Sequence, residues 1–319
     1  MANKSFAEKS DWQRYNQRQV CVGLDTDLDL LKPLYKNSPE LEAELRQQVD
    51  SLRTNADYVI AYNRLVIGAT NDIAGAYKPN RAFYEALGSN GFRVLKDAVT
   101  EIKAVGHQSA MTILDAKIQD IGSTNKGYGQ AYFDNIGFDA VTVHPYLGSE
   151  ALKVLTDRKD RGFLVMGRTS NPGAGELQDL RIGINRGELE DLNKGPARQG
   201  NYPSTDIYLY QYVAQRVANH WNINGNVGLV AGATYPEESG YIRDEVGPNL
   251  FLLIPGVGAQ GGKAEEIVPM ALRREQTGVI NSSRAITFAK RQQGETQAQA
   301  IKRSAQELQD EIVSAQKAA

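Results

Sequence analysis

Thr112-Ile-Leu-Asp-Ala-Lys-Ile-Gln-Asp-Ile-Gly-Ser-Thr124 begins as an apolar strand and ends in charges. Asp115 and Lys117 are two apart, which on a regular strand points both side chains to one side. Asp120 follows three residues after Lys117, where the strand is expected to have become loop. A carboxylate, an ammonium and a second carboxylate are therefore crowded at one strand end. Taken alone, the stretch is also compatible with a wet strand end carrying a salt bridge. The neighbouring strands decide between these readings.

Working outward, seven more short apolar runs share the pattern: 19–25, 73–78, 140–145, 162–170, 226–234, 250–255 and 278–284, with the third strand at 109–117. Helical periodicity fills the gaps, over about 39–72, 82–105 (interrupted near Gly88 to Gly91), 126–135, 149–156 and 208–221. Strands buried on both faces read as nearly continuous apolar runs. Eight such units imply a (β/α)8 TIM barrel, with a doubly wound open sheet as the alternative. Pro/Gly/Ser-rich linkers are absent, so residues 1–319 read as a single barrel domain. It carries an insertion around 176–225 and a helical C-terminal tail.

The 319 residues include 36 Lys and Arg against 38 Asp and Glu, a formal net charge of −2. That balance leaves no footprint for nucleic acid or an anionic membrane. Cys21 is the only cysteine, so an intrachain disulfide and a thiolate metal cluster are both excluded. Its apolar surroundings, Val20-Cys-Val-Gly-Leu24, make it a small core residue. No apolar run approaches the ~20 residues that span a bilayer. The N-terminus lacks the apolar core of a signal peptide. The expected location is the cytoplasm.

In a barrel, chemistry gathers where the strands end. Asp25 ends the first strand, Lys78 the second, and Asp115 and Lys117 the third. His144 ends the fourth, Ser170 the fifth, Pro255 the seventh and Arg284 the eighth. Charges half-buried around one mouth need mutual partners, and the ring reads as a site. The loop Pro255-Gly-Val-Gly-Ala-Gln-Gly-Gly262 fits G-x-G-x-x-G, with Glu275 about 20 residues after its first glycine. It precedes the last strand rather than following the first, and Glu275 falls before that strand, so a dinucleotide fingerprint is rejected. Glycine-loop N–H groups, the Gln260 amide, the Arg284 fork and a helix N-terminus suit a terminal phosphate instead. Metal is not expected. His107 and His220 have no carboxylate at ligand spacing, and His144 reads as a hydrogen-bonded wall residue of the mouth.

Several stretches match one family. Val22-Gly-Leu-Asp25, Ala76-Tyr-Lys-Pro-Asn80, Asp115-Ala-Lys-Ile-Gln-Asp-Ile-Gly122, Arg168-Thr-Ser-Asn-Pro-Gly173, Ile254-Pro-Gly-Val-Gly-Ala-Gln-Gly261 and Asn281-Ser-Ser-Arg284 fall in order across the chain. In them the chain resembles the orotidine 5′-phosphate decarboxylases, and in particular their longer bacterial branch. The resemblance implies cofactor-free decarboxylation of orotidine 5′-phosphate to UMP in pyrimidine biosynthesis, by a homodimer with sites near the interface. By that likeness Lys78, Asp115 and Lys117 form a charged chain, Lys117 donates the proton, and Asp120 comes from the partner subunit, with Ile121 and Thr124 beside it. Asp25 would hold ribose hydroxyls, Ser170 the pyrimidine amide, and Gln260, Arg284 and the backbone at Ser283 the phosphate, with Pro255 lining the substrate site. Two other readings remain. The related keto-gulonate phosphate decarboxylases and hexulose phosphate synthases share D-x-K-x-x-D but use Mg2+, held in part by a Glu where this chain has Lys78. A nucleotide-binding sensor or scaffold would have no need of Lys117. The insertion departs from the compact family members.

Overall fold

The computed structural model describes residues 4–105, 109–193 and 205–319. His107 and part of the insertion lie outside the described residues. Eight parallel strands close a barrel: β1 (Val20–Gly23), β2 (Ala76–Lys78), β3 (Met111–Ile118), β4 (Ala140–Val143), β5 (Gly162–Arg168), β8 (Val227–Ala231), β9 (Leu252–Pro255) and β10 (Gly278–Ser282). Around the barrel the order is β1-β10-β9-β8-β5-β4-β3-β2, with β1 pairing both β2 and β10. The eight expected strands are these eight, and the barrel replaces the open-sheet alternative. Two further strands, β6 (Arg181–Gly183) and β7 (Asp206–Tyr208), form a separate antiparallel pair inside the insertion. Ile184, Leu192 and Ile207 make a small core beside them.

Local signals explain several helix boundaries. The expected helix over 39–72 is two helices, Pro39–Arg46 and Asn55–Thr70. Ser38 caps the first, with Pro39 at its start. Thr54 and Asp57 form a capping box on the second, a start signal strong enough to divide a continuous apolar period. A helix not expected from the sequence, Leu28–Lys36, is capped by Asp27; Pro33 inside it obscures the helical pattern. The expected helix over 126–135 is Gly122–Gly129, continuing as π-helix through Ile136.

The barrel interior is filled by Cys21, Ala76, Met111, Ile113, Ala140, Leu164, Val230, Leu253 and Val279. Burial pushes the Cys21 thiol up to about 12, which keeps it protonated and unreactive. At the N-terminal end of the strands, helix Phe6–Tyr15 closes the barrel. Phe6 packs edge-on to Phe251 at 5.2 Å, and the buried Lys9 Nζ lies 2.8 Å from Asp139 Oδ2. The C-terminal helix, Gln297–Ala318, packs on helices Asn55–Thr70 and Ala264–Ala271. It buries Ile301, Ala305, Leu308 and Ile312, a stripe at helical spacing. With one end plugged, the accessible mouth is the C-terminal one. Among the described residues, no helix is long and apolar enough to cross a membrane.

Candidate active site

The centre of the mouth is a chain of three charges on β2 and β3. Lys78, at the end of β2, places Nζ 3.1 Å from Asp115 Oδ2. Lys117 places Nζ 2.6 Å from Asp115 Oδ1. Lys78 is buried and Lys117 half-exposed, so one cation braces the carboxylate from below while the other faces the opening. Burial disfavours the charge on Lys78, but Asp115 and then Asp25 outweigh it and hold its pKa above the ordinary lysine value. Burial likewise disfavours the Asp115 carboxylate, yet Lys78 and Lys117 hold it well below the usual carboxylate range. The pair is ionised on both sides.

Regular strand alternation is not what brings Asp115 and Lys117 together. The pairing of β3 with β4 slips between Leu114 and Ile118, a bulge. Lys117 sits inside it with φ +47°, a conformation uncommon for a residue with a side chain. Buried Thr142, on β4, fills the bulge. Its Oγ1 accepts from Ala116 N at 3.0 Å and Lys117 N at 2.9 Å, and donates to Asp115 Oδ1 at 3.0 Å. The sequence reading missed Thr142, since a threonine within Val-Thr-Val-His reads as an ordinary strand residue.

Across the mouth, β1, β9 and β10 end around a cleft of about 340 Å³. Asp25, Gln260, Asn281, Ser283 and Arg284 line it, together with Phe83 and Leu30. Asp25 Oδ1 is buried with no hydrogen-bond partner among the described residues, an acceptor able to take a donor. The loop after Pro255 turns back on itself through Gly256 (φ +110°), Gly258 (φ +87°) and Gly261 (φ +93°), backbone that glycine adopts freely. Gly262 N donates to Gly256 O, and Gly258 N to Gly262 O, each at 3.0 Å. The turn aims Gln260 inward, and Ser170 Oγ donates to Gln260 Oε1 at 2.6 Å. The guanidinium of exposed Arg284 forms no hydrogen bond or ion pair among the described residues.

Ser170 is held from the start of the insertion. Arg168, buried at the end of β5, donates to both oxygens of Asp179 at 2.7 and 2.9 Å and to Thr169 O at 2.9 Å. Its guanidinium stacks 3.7 Å over the Tyr235 ring. Thr169 N donates to Gln178 Oε1. The residues just after the fifth strand therefore lock the turn that presents Ser170.

Asp120, Ile121 and Thr124 lie elsewhere, on the rim after β3. Asp120 accepts from Ile121 N at 2.6 Å and forms no ion pair among the described residues. Ile121 is 61% exposed. Within one chain the charge network therefore ends at Lys117. The expectation for His144 needs correction. His144 bonds only through its backbone N–H, to Ile118 O at 3.2 Å, and its imidazole has no partner among the described residues. His220, which has no carboxylate at ligand spacing in the sequence, has Nε2 3.3 Å from Asp191 Oδ2, brought to it by the insertion helix Arg186–Asn193. Among the described residues, no three His, Cys, Asp or Glu side chains are grouped to hold a metal ion.

Residues 18–300 match the family described as orotidine 5′-phosphate decarboxylase / HUMPS. The chain is 38% identical over 274 residues to the orotidine 5′-phosphate decarboxylase of Herpetosiphon aurantiacus, covering 86% of this chain and 85% of that one. It is 36% identical over 316 residues to that of Roseiflexus castenholzii, covering 98% and 99%. Among solved structures it is similar to the OMP decarboxylase of Leishmania donovani, with TM-score 0.74 and 28% identity over 98% of this chain and 99% of the other.

Proposed function

The chain belongs to the orotidine 5′-phosphate decarboxylase / HUMPS family, and from that premise we propose how its residues remove CO2 from orotidine 5′-phosphate without a cofactor. The activity is that of a carboxy-lyase of pyrimidine biosynthesis. The observation that carries the mechanism is the Asp115 carboxylate clamped between buried Lys78 and half-exposed Lys117.

Loss of CO2 leaves an electron pair at C6 in the plane of the pyrimidine, where the π system cannot delocalise it. The protein must meet that charge electrostatically. Lys117, as ammonium at the open end of the network, stabilises the developing carbanion and then protonates C6. Asp115, fixed beside the substrate carboxylate, repels it; the repulsion is relieved as CO2 departs uncharged. Lys78 keeps Asp115 ionised and in place. One preorganised contact contributes about 3 kcal/mol, whereas enzymatic barrier reductions extend to roughly 20 kcal/mol. Remote binding must therefore contribute.

That binding falls to the cleft. Asp25, with its unpartnered buried oxygen, takes ribose hydroxyls; Gln260, Arg284 and the backbone at Ser283 take the phosphate, with Pro255 lining the approach. Ser170 binds the pyrimidine amide, and its hydrogen bond to Gln260 links the base end of the site to the phosphate end. Asp120, Ile121 and Thr124 complete the site of a second copy in a homodimer. Ile121, 61% exposed, and the exposed Thr124 beside half-buried Asp120 support that assignment. The proposed location is the cytoplasm.

The test is direct. EDTA-treated protein is added to orotidine 5′-phosphate and the ultraviolet absorbance followed. Conversion to UMP at full rate supports the metal-free mechanism. Conversion only on addition of Mg2+ would overturn it and point to the metal-dependent side of the family.

A further inference from the structure

We infer that Thr142 is a positioning residue for the reaction: its hydroxyl holds the β3 bulge that sets Lys117 and Asp115 against the substrate. The inference rests on the proposed roles of those two residues. A hydroxyl has one hydrogen to donate and two lone pairs to accept with. Thr142 uses all three. It accepts the N–H groups of Ala116 and Lys117, two consecutive donors that the slipped β3–β4 pairing leaves without a ladder partner, and donates to Asp115 Oδ1. All three distances lie between 2.9 and 3.0 Å, and the residue is 1% exposed, so water cannot substitute for it.

The consequence is geometric. Lys117 adopts φ +47°, which costs of order 1–3 kcal/mol unless its surroundings enforce it. The acceptor for its N–H is the enforcing contact. The same oxygen donates to the carboxylate that also receives Lys117 Nζ at 2.6 Å. Backbone and side chain of the proposed proton donor are thus both referenced to one hydroxyl on the neighbouring strand. Thr142 itself does not need to touch the substrate.

Thr142→Val keeps the shape and removes the hydroxyl. Steady-state kinetics on orotidine 5′-phosphate and UMP affinity are measured on the purified, folded variant. The expected result is a fall in kcat on the order of 30-fold, the worth of a hydrogen bond to a charged group, with UMP affinity within about threefold because the phosphate and ribose contacts lie on other strands. Thr142→Ser, which restores the hydroxyl, should recover most of the loss. Wild-type kcat in the valine variant overturns the inference, as does equal loss in the valine and serine variants. Should the valine variant not fold, the ratio of kcat between Thr142→Ser and Thr142→Ala is read instead; about tenfold or more is expected, and a ratio near one overturns the inference. Wild-type enzyme is assayed alongside: if it fails to turn over orotidine 5′-phosphate without metal, the mechanism itself falls, whereas wild-type turnover with an unaffected valine variant removes only Thr142.

Discussion

Gly23, the last residue of β1, faces Ser283 across the seam with β10 so closely that a Cβ at position 23 would overlap the Ser283 side chain. The chain therefore makes a close approach between the ends of β1 and β10, beside the cleft lined by Asp25 and Arg284. A glycine is required there for proximity, since only its missing side chain leaves room for Ser283.

Gly23→Ala should push Ser283 outward and with it the backbone proposed to hold the phosphate. Overpacking of this kind costs about 1–3 kcal/mol, and KM for orotidine 5′-phosphate should rise roughly tenfold, about 1.4 kcal/mol of binding, with a smaller change in kcat. The double variant Gly23→Ala, Ser283→Gly removes the overlap with the side chain but leaves a 2.9 Å approach to the Cα of residue 283, and should recover part of the lost stability and of the rise in KM. An unchanged KM in the folded single variant would separate Ser283 from the phosphate.

The Lys78–Asp115 pair makes a pH prediction. Asp115 is held below the ordinary aspartate value, so its contribution to stability is present above that value, about pH 4, and is lost as pH falls through the depressed one. Lys78 is held above the ordinary lysine value, so its contribution is present below about pH 10 and is lost as pH rises through the raised one. Asp115→Asn leaves a buried ammonium without its nearest counterion and should cost about 3 kcal/mol at pH 7. In urea denaturation, the gap between wild type and variant should stay constant from pH 8 to pH 5 and narrow only below about pH 4. A gap that closes between pH 7 and pH 5 would show that Asp115 is not held ionised.

The barrel was legible because buried parallel strands are written as apolar runs, and eight of them recur along this chain. Strand-end residues were legible for the same reason: the last residue of each run must lie near the mouth. What escaped depended on contacts between distant segments. The bulge at Lys117 is dictated by Thr142 on the next strand, and nothing in Asp-Ala-Lys announces a left-handed residue. Asp191 approaches His220 only because the insertion folds back onto helix Leu209–Arg216 and its π-helical continuation. Pro33 hid a helix that its Asp27 cap nevertheless starts. The division of 39–72 was visible in Thr54-Asn-Ala-Asp57, a capping box overridden by the longer apolar period.

The two ends of the site should fail differently. Lys117 stands at the open end of the charge network, whereas Arg284 stands exposed on the opposite wall, in the cleft. Lys117→Ala removes both the cation facing the developing carbanion and the proton it needs. General acid and electrostatic contributions of this kind are worth 10² to 10⁴-fold each, so kcat should fall by roughly 10⁴-fold or more, while UMP still binds measurably. Arg284→Ala leaves the charge network intact and removes a charge-assisted contact to the phosphate. Its effect should appear mainly in KM, with kcat/KM reduced on the order of 100-fold. Because remote binding also supports the chemical step, a part of the Arg284 loss should enter kcat. Near-normal turnover in the Lys117 variant would remove it as proton donor. An unchanged kcat/KM in the Arg284 variant would take that residue out of the phosphate site and leave Gln260, the backbone at Ser283 and the glycine turn to hold the phosphate.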